Sequence, residues 1–107
     1  MNGPPIILIN VFTVDPANQA ELLKLLAQAT EALVRCAPGF ISARLHRGVD
    51  GTKVTMYAEW QSIEAYQAMR EDPAPRHYLE RALAIARFEP GMYEVVQTFR
   101  PEAPRPA

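Results

Sequence analysis

The chain has 107 residues, of which 49% are apolar and 21% charged, and its 11 Lys and Arg against 12 Asp and Glu leave a formal net charge of −1. That length holds one domain with a modest core, and the composition is that of a folded chain, not a disordered one. The balanced charge provides no basic face for nucleic acid, and the single cysteine, Cys36, excludes an intrachain disulfide. The start, Met-Asn-Gly-Pro-Pro, lacks the basic flank of a signal peptide, and the apolar stretch Ile6–Val14 is too short to cross a bilayer. A soluble, cytoplasmic protein without a membrane partner is expected.

Ile6–Val14 is almost continuously apolar and rich in β-branched residues, with Asn10 as its one amide, which predicts a strand buried on both faces. Asp15-Pro16 reads as an N-cap followed by proline at the first helical position. The helix is predicted to run to about Cys36, with Leu22, Leu26, Ala29, Leu33 and Cys36 on one stripe. That position makes Cys36 a small buried apolar group. Pro38-Gly39 ends the helix.

Phe40–Gly48 and Lys53–Trp60 predict a hairpin around Asp50-Gly51. Alternation puts Ile41, Ala43 and Leu45 on one face of its first strand, and Val54, Met56, Ala58 and Trp60 on one face of its second. Ser62 caps a short helix carrying Ile63, Tyr66 and Met69. Asp72-Pro73 restarts a helix whose stripe is Leu79, Ala82, Leu83 and Ala86. A last strand, Met92–Phe99, follows Pro90-Gly91, and residues 101–107 form a proline-rich tail beyond a single domain of residues 1–100.

The order is βαββαβ with the second helix broken in two. It predicts an α+β, ferredoxin-like fold with a four-stranded antiparallel sheet. Helices on one face of such a sheet leave the other uncovered, while the first and last strands are apolar on both faces. A homodimer packed through the open faces follows.

No nucleophilic triad, phosphate loop or metal-spaced cluster is present, and His46 and His77 are the only histidines. Four residues remain as site candidates. Asn10 is the lone amide in an apolar strand, so it either satisfies backbone or points into a cavity. Trp60, beside small Ala58, is core or a stacking wall. Tyr66 is packing with its oxygen at a rim, or a hydroxyl that orients or protonates a substrate oxygen. His77, near the start of the last helix, is a surface residue or a neutral imidazole acting as base; projection from Leu79 puts it off the apolar stripe.

Pro38-Gly39-Phe40, the Asp50-Gly51 turn and Glu59-Trp60 followed by Ser62-Ile63-Glu64-Ala65-Tyr66 resemble the antibiotic biosynthesis monooxygenase family, over about residues 6–99. The resemblance implies a dimeric α+β barrel with each pocket between sheet and helices. It also implies oxidation of an aromatic or quinol-type small molecule by dioxygen, with no metal or prosthetic group. In such members an Asn four residues before the Trp, the Trp and a helical Tyr are implicated. Trp60 and Tyr66 match, and Met56 holds the Asn position. Haem-degrading relatives use a first-strand Asn, a Trp in the second helical segment and an axial His. Asn10 and His77 approximate two of these, but Met69 stands at the Trp position, so no haem is expected. The alternative reading is a non-catalytic dimeric small-molecule binder or stress-associated protein of the same fold.

Overall fold

The computed structural model describes residues 4–103. Residues 104–107 of the expected tail, and the first three residues of the chain, lie outside the described part. Five strands and three α-helices follow one another as β1 (Ile6–Val14), α1 (Gln19–Ala32), β2 (Phe40–Arg47), β3 (Lys53–Trp60), α2 (Ile63–Glu71), α3 (Pro73–Leu83), β4 (Ala86–Glu89) and β5 (Met92–Tyr93). The sheet is antiparallel in the order β2-β3-β1-β4, with β5 also paired to β1. This is the expected α+β, ferredoxin-like arrangement.

β1 is central because it is the most continuously apolar segment. Its even-numbered residues Leu8, Phe12 and Val14 are buried in the core clusters, beside Leu22 and Leu26 of α1 and Trp60 of β3. Strand alternation then sends Ile7, Ile9 and Val11 to the opposite face. Asp15 caps a 3₁₀ turn (Pro16–Asn18) by accepting from the Ala17 amide at 2.8 Å, and the regular helix starts one turn later than predicted.

Three local expectations are corrected. First, α1 stops at Ala32, where Leu33 leaves helical geometry (φ −130°, ψ −58°) and a 3₁₀ turn (Val34–Cys36) follows. The change of winding carries Cys36 off the helix stripe, and it is exposed. Second, a bulge between Phe40 and Ser42 adds a residue to β2. Phe40 packs against the core, whereas Ile41 is 42% exposed. Ala43 and Leu45 keep their predicted inward face.

Third, the last helix does not reach Ala86, and no strand spans Met92–Phe99. Ala86–Glu89 pairs with Val11–Val14, and Met92–Tyr93 pairs with Ile7 and Leu8. Pro90 has no N–H to give the ladder, so pairing breaks there and resumes after the Ile9 amide donates to the Gly91 carbonyl at 3.0 Å. Beyond Tyr93 the described chain has no regular structure.

Two glycines fix the hairpin and its junction with α2. Gly51 has φ +86° in the turn, where Asp50 accepts from both the amide and the hydroxyl of Thr52 at 2.9 and 2.7 Å. Those bonds, the side-chain one first, hold the Asp50 carboxyl below its ordinary 3.8. Gly39, also at φ +86°, lies so close to α2 that a Cβ there would meet the Ala65 side chain at 2.5 Å. Its carbonyl accepts from the Gln61 amide at 2.8 Å, which ties the start of β2 to the residue after Trp60.

Candidate active site

A half-open cleft lies between the helix-covered face of the sheet and the three helices. Its cavity volume is about 110 Å³, well above the ~10–15 Å³ that one water requires by the same kind of measure.

Strand register builds its floor row by row. Phe40 stands opposite Trp60 and Ala43 opposite Ala58 across β2 and β3. Ala58 faces Leu8 and Met56 faces Asn10 across β3 and β1. The row of two alanines is the low ground between the large Trp60 on one side and Met56 on the other, because paired side chains on one face sit only about 4.5–5.5 Å apart. Ala43 extends the gap that Ala58 alone suggested. At the far end Phe12 faces Phe88 of β4, their rings stacked at 4.8 Å and 17°.

The roof comes from the helices. Ser62 caps α2, its Oγ accepting from the Ala65 amide at 3.1 Å. This fixes the first turn so that Tyr66 is buried against Trp60, ring centroids 5.8 Å apart and 67° between planes. Phe40 meets the same indole at 5.4 Å and 81°. Both contacts are edge-to-face, the arrangement ring quadrupoles favour, and Trp60 is 1% exposed. The predicted α2 stripe is rotated: Ile63 is 41% exposed, while Tyr66, Met69 and Arg70 line the cleft. α1 contributes Leu26, Ala29 and Thr30, and α3 contributes Tyr78 and Leu79.

Three of the four candidate residues therefore meet in one cleft: Asn10 from β1, Trp60 from β3 and Tyr66 from α2. Among the described residues Asn10 Oδ1 is buried without a hydrogen-bond partner. Such an orphan acceptor costs about 1–3 kcal/mol, and here it lies in the lining of a cleft. His77 is the exception. It is exposed on α3 with its ring 6.2 Å from Tyr78, and the cleft is lined by its neighbours Arg76 and Tyr78 instead. This agrees with the projection from Leu79, which puts it off the apolar stripe.

Residues not singled out in the sequence complete the site. Arg70, one helical turn after Tyr66, donates from Nη1 to the Tyr66 hydroxyl at 2.7 Å. Its guanidinium carbon lies 5.8 Å from the centroids of both the Tyr66 and Phe88 rings, a cation–π arrangement on each. The four-residue spacing from Tyr66 was the available signal for Arg70. For Phe88 it was the alternation of Ala86-Arg87-Phe88-Glu89. Among the described residues no group of three His, Cys, Asp or Glu side chains could hold a metal ion, and no helix is long and apolar enough to cross a membrane.

The sequence profile described as antibiotic biosynthesis monooxygenase matches residues 5–81. The chain belongs to the antibiotic biosynthesis monooxygenase family. It is 39% identical over 100 residues to the tetracenomycin-F1 monooxygenase of Streptomyces glaucescens, covering 94% of this chain and 89% of that one. The monooxygenase ActVA-Orf6 of Streptomyces coelicolor, solved in complex with nanaomycin D, superposes with a TM-score of 0.81 at 28% identity, covering 92% of this chain and 94% of that one. SnoaB of Streptomyces nogalater, a cofactor-independent oxygenase, shares the fold with a TM-score of 0.78 at 24% identity, covering 90% of this chain and 97% of that one.

Proposed function

We propose that this family member is a cofactor-independent monooxygenase that oxidises a fused aromatic phenol or quinol with dioxygen. The observation that carries the reading is the orphan Asn10 oxygen in an aromatic cleft walled by Trp60 and Tyr66. An apolar bed orients a flat ring system, and a few polar groups decide which edge of it reacts. The relatives act on, or are solved with, compounds of this kind: one is named for tetracenomycin F1 and another holds nanaomycin D.

In this reading the electron-rich substrate supplies the electrons. An anthrone loses its ring-methylene proton, and the resulting anion reduces dioxygen and bonds to it. The carbon-bound peroxide then expels water to leave a carbonyl, so that anthrone and dioxygen become anthraquinone and water. The protein's part is to hold the ring in the cleft that Trp60 and Tyr66 wall and to stabilise the anion as it forms. Asn10 is assigned the hydroxyl-directed hydrogen bond and Tyr66 the rim hydroxyl. Met56 occupies the position where quinone-forming relatives are expected to carry their Asn. Asn10 is its partner in the β1–β3 register, which supports an amide serving the same spot from the adjacent strand. Because His77 lies outside the cleft lining, it is given no role.

The test is oxidation of dithranol and related hydroquinones under air by purified protein. Conversion well above the spontaneous rate, reduced at least about tenfold in Tyr66→Phe with binding retained, is the expected result. A panel left at the spontaneous rate would leave a binding protein of the same fold.

The working unit proposed is a cytoplasmic homodimer. The open face of the sheet carries Ile9, Val11 and Tyr57, all only partly covered. Beyond β5, Val95, Val96 and Phe99 are 62%, 95% and 81% exposed. The radius of gyration is 16.1 Å, against about 13 Å for a compact domain of this length. A second copy covers such a surface with the same residues reciprocally. Sedimentation equilibrium should return the mass of two chains, and a single-chain mass at micromolar concentration would refute the pairing.

A further inference from the structure

A second hollow adjoins the cleft. It lies between α1 and β2, the edge strand of the sheet, and has a volume of about 380 Å³. Ala27 and Glu31 of α1 wall it and Leu45 of β2 floors it. Thr30, Phe40, Ala43 and Met56 line both the hollow and the cleft. Ala27, Thr30 and Glu31 share one wall because residues three and four apart lie on the same helix face, and the small Ala27 leaves that wall low. The hollow is on the helix-covered side of the sheet, so pairing of two copies through the open faces leaves it uncovered.

The four shared residues form the threshold between the two spaces. None of them is charged, and the Thr30 hydroxyl already donates to the Leu26 carbonyl at 2.9 Å. Behind the threshold Ala43 faces Ala58, the low ground of the cleft floor, and Phe40 meets the Trp60 ring edge to face. The other end of the cleft differs in character. Arg70, 5.8 Å from the Phe88 ring of β4, and Arg76 line it there, and β4 ends the sheet on the side away from β2. The cleft thus crosses the sheet from a charged end to an apolar one.

We propose that the hollow between α1 and β2 is a second way into the cleft, and that it admits dioxygen. Its use rests on the oxygenase reading; its existence as a passage does not. A ring system seated in the cleft closes the space by which it entered, and the dioxygen that it is to reduce needs another approach. Dioxygen is small and apolar, so leaving water for an apolar surface favours it, and apolar cavities take up small apolar solutes of the kind of xenon. An ion would shed its hydration at this threshold with no partner in return. The passage delivers the oxidant to the alanine row, beside Trp60, while the ring system occupies the rest of the cleft.

Dioxygen itself is the probe, as a collisional quencher of the fluorescence lifetime of Trp60, the single tryptophan. This needs neither substrate nor chemistry. Ala27→Phe and Glu31→Phe raise the wall from exposed positions outside the cleft lining. In at least one of them the quenching rate constant should fall by about half or more, as for an encounter limited by access. Gln28→Phe, exposed on α1 and outside both linings, should leave it unchanged. In dithranol oxidation the same plug should raise the KM for dioxygen by a similar factor and keep kcat at saturating oxygen. Quenching unmoved in both plugs, or lowered equally by Gln28→Phe, overturns the passage. Quenching lowered with an unmoved KM for dioxygen overturns its role as the oxidant's route and leaves the oxygenase reading intact. Quenching lowered in a protein that leaves dithranol at the spontaneous rate keeps the passage, and the oxygenase reading alone falls.

Discussion

Asn10→Leu is expected to give a protein that is more stable than the wild type and nearly inactive. The Asn10 oxygen is buried with no hydrogen-bond partner among the described residues. Its surroundings on that face are Leu8, Phe12 and the cross-strand Met56. A leucine of similar size removes the unpaired acceptor and adds apolar contact, so the folded state should gain about 1 kcal/mol. For a chain of this length that is about 4–8 °C in Tm. Turnover of dithranol should meanwhile drop about 100-fold or more, the usual cost of losing one hydrogen-bonding group aimed at a reacting centre. Opposite movements of stability and activity mark a residue kept for its ligand and not for its fold. Thermal unfolding and turnover on the same preparation check both halves. A variant that loses stability and keeps its activity would make Asn10 a structural amide.

Trp60 is expected to behave in the opposite way, with fold and site failing together. Trp60→Ala removes the largest of the fully buried side chains from between Phe40, Tyr66 and the Ala58 row, and should cost about 3–5 kcal/mol. Domains of this kind have only about 5–15 kcal/mol in total, so the variant should be largely unfolded at moderate temperature. Trp60→Phe retains a ring edge for Phe40 and Tyr66 to meet and should stay folded with reduced turnover. Urea unfolding of the pair gives the difference directly. A loss below about 1 kcal/mol in Trp60→Ala would mean that the indole is not the keystone its burial implies.

These two residues also mark how far the sequence can be read. Asn10 and Trp60 are visible because each is the odd residue in a well-patterned strand, although β1 is apolar on both faces and only the packing of the helices decides which face of it Asn10 occupies. Caps at Ser62 and Asp72, and the Asp50-Gly51 turn, mark the neighbouring boundaries for local reasons that the structure retains. What escapes is set by non-local pairing. The β2 bulge that swaps Phe40 for Ile41 depends on how β2 meets β3. The early stop of α1 and the exposure of Cys36 depend on the 3₁₀ turn between α1 and β2. Leu79, Ala82, Leu83 and Ala86 fit helical spacing and draw the start of β4 into the preceding helix, while pairing with Val11–Val14 decides for a strand. Arg70 is hidden because a charged residue on an amphipathic helix reads as solvated, and only the positions of Tyr66 and Phe88 make it part of a cleft.

In the proposed reaction this cleft lets an aromatic substrate reduce dioxygen with no help from a metal or prosthetic group. The most direct measurement is turnover of dithranol by chelator-dialysed protein under isotopically labelled dioxygen, followed by mass spectrometry of the quinone. One labelled oxygen atom per quinone, one dioxygen consumed for each, and a rate unchanged by the chelator are predicted. A rate abolished by chelation and restored by a metal, or a product whose new oxygen comes from water, would contradict it.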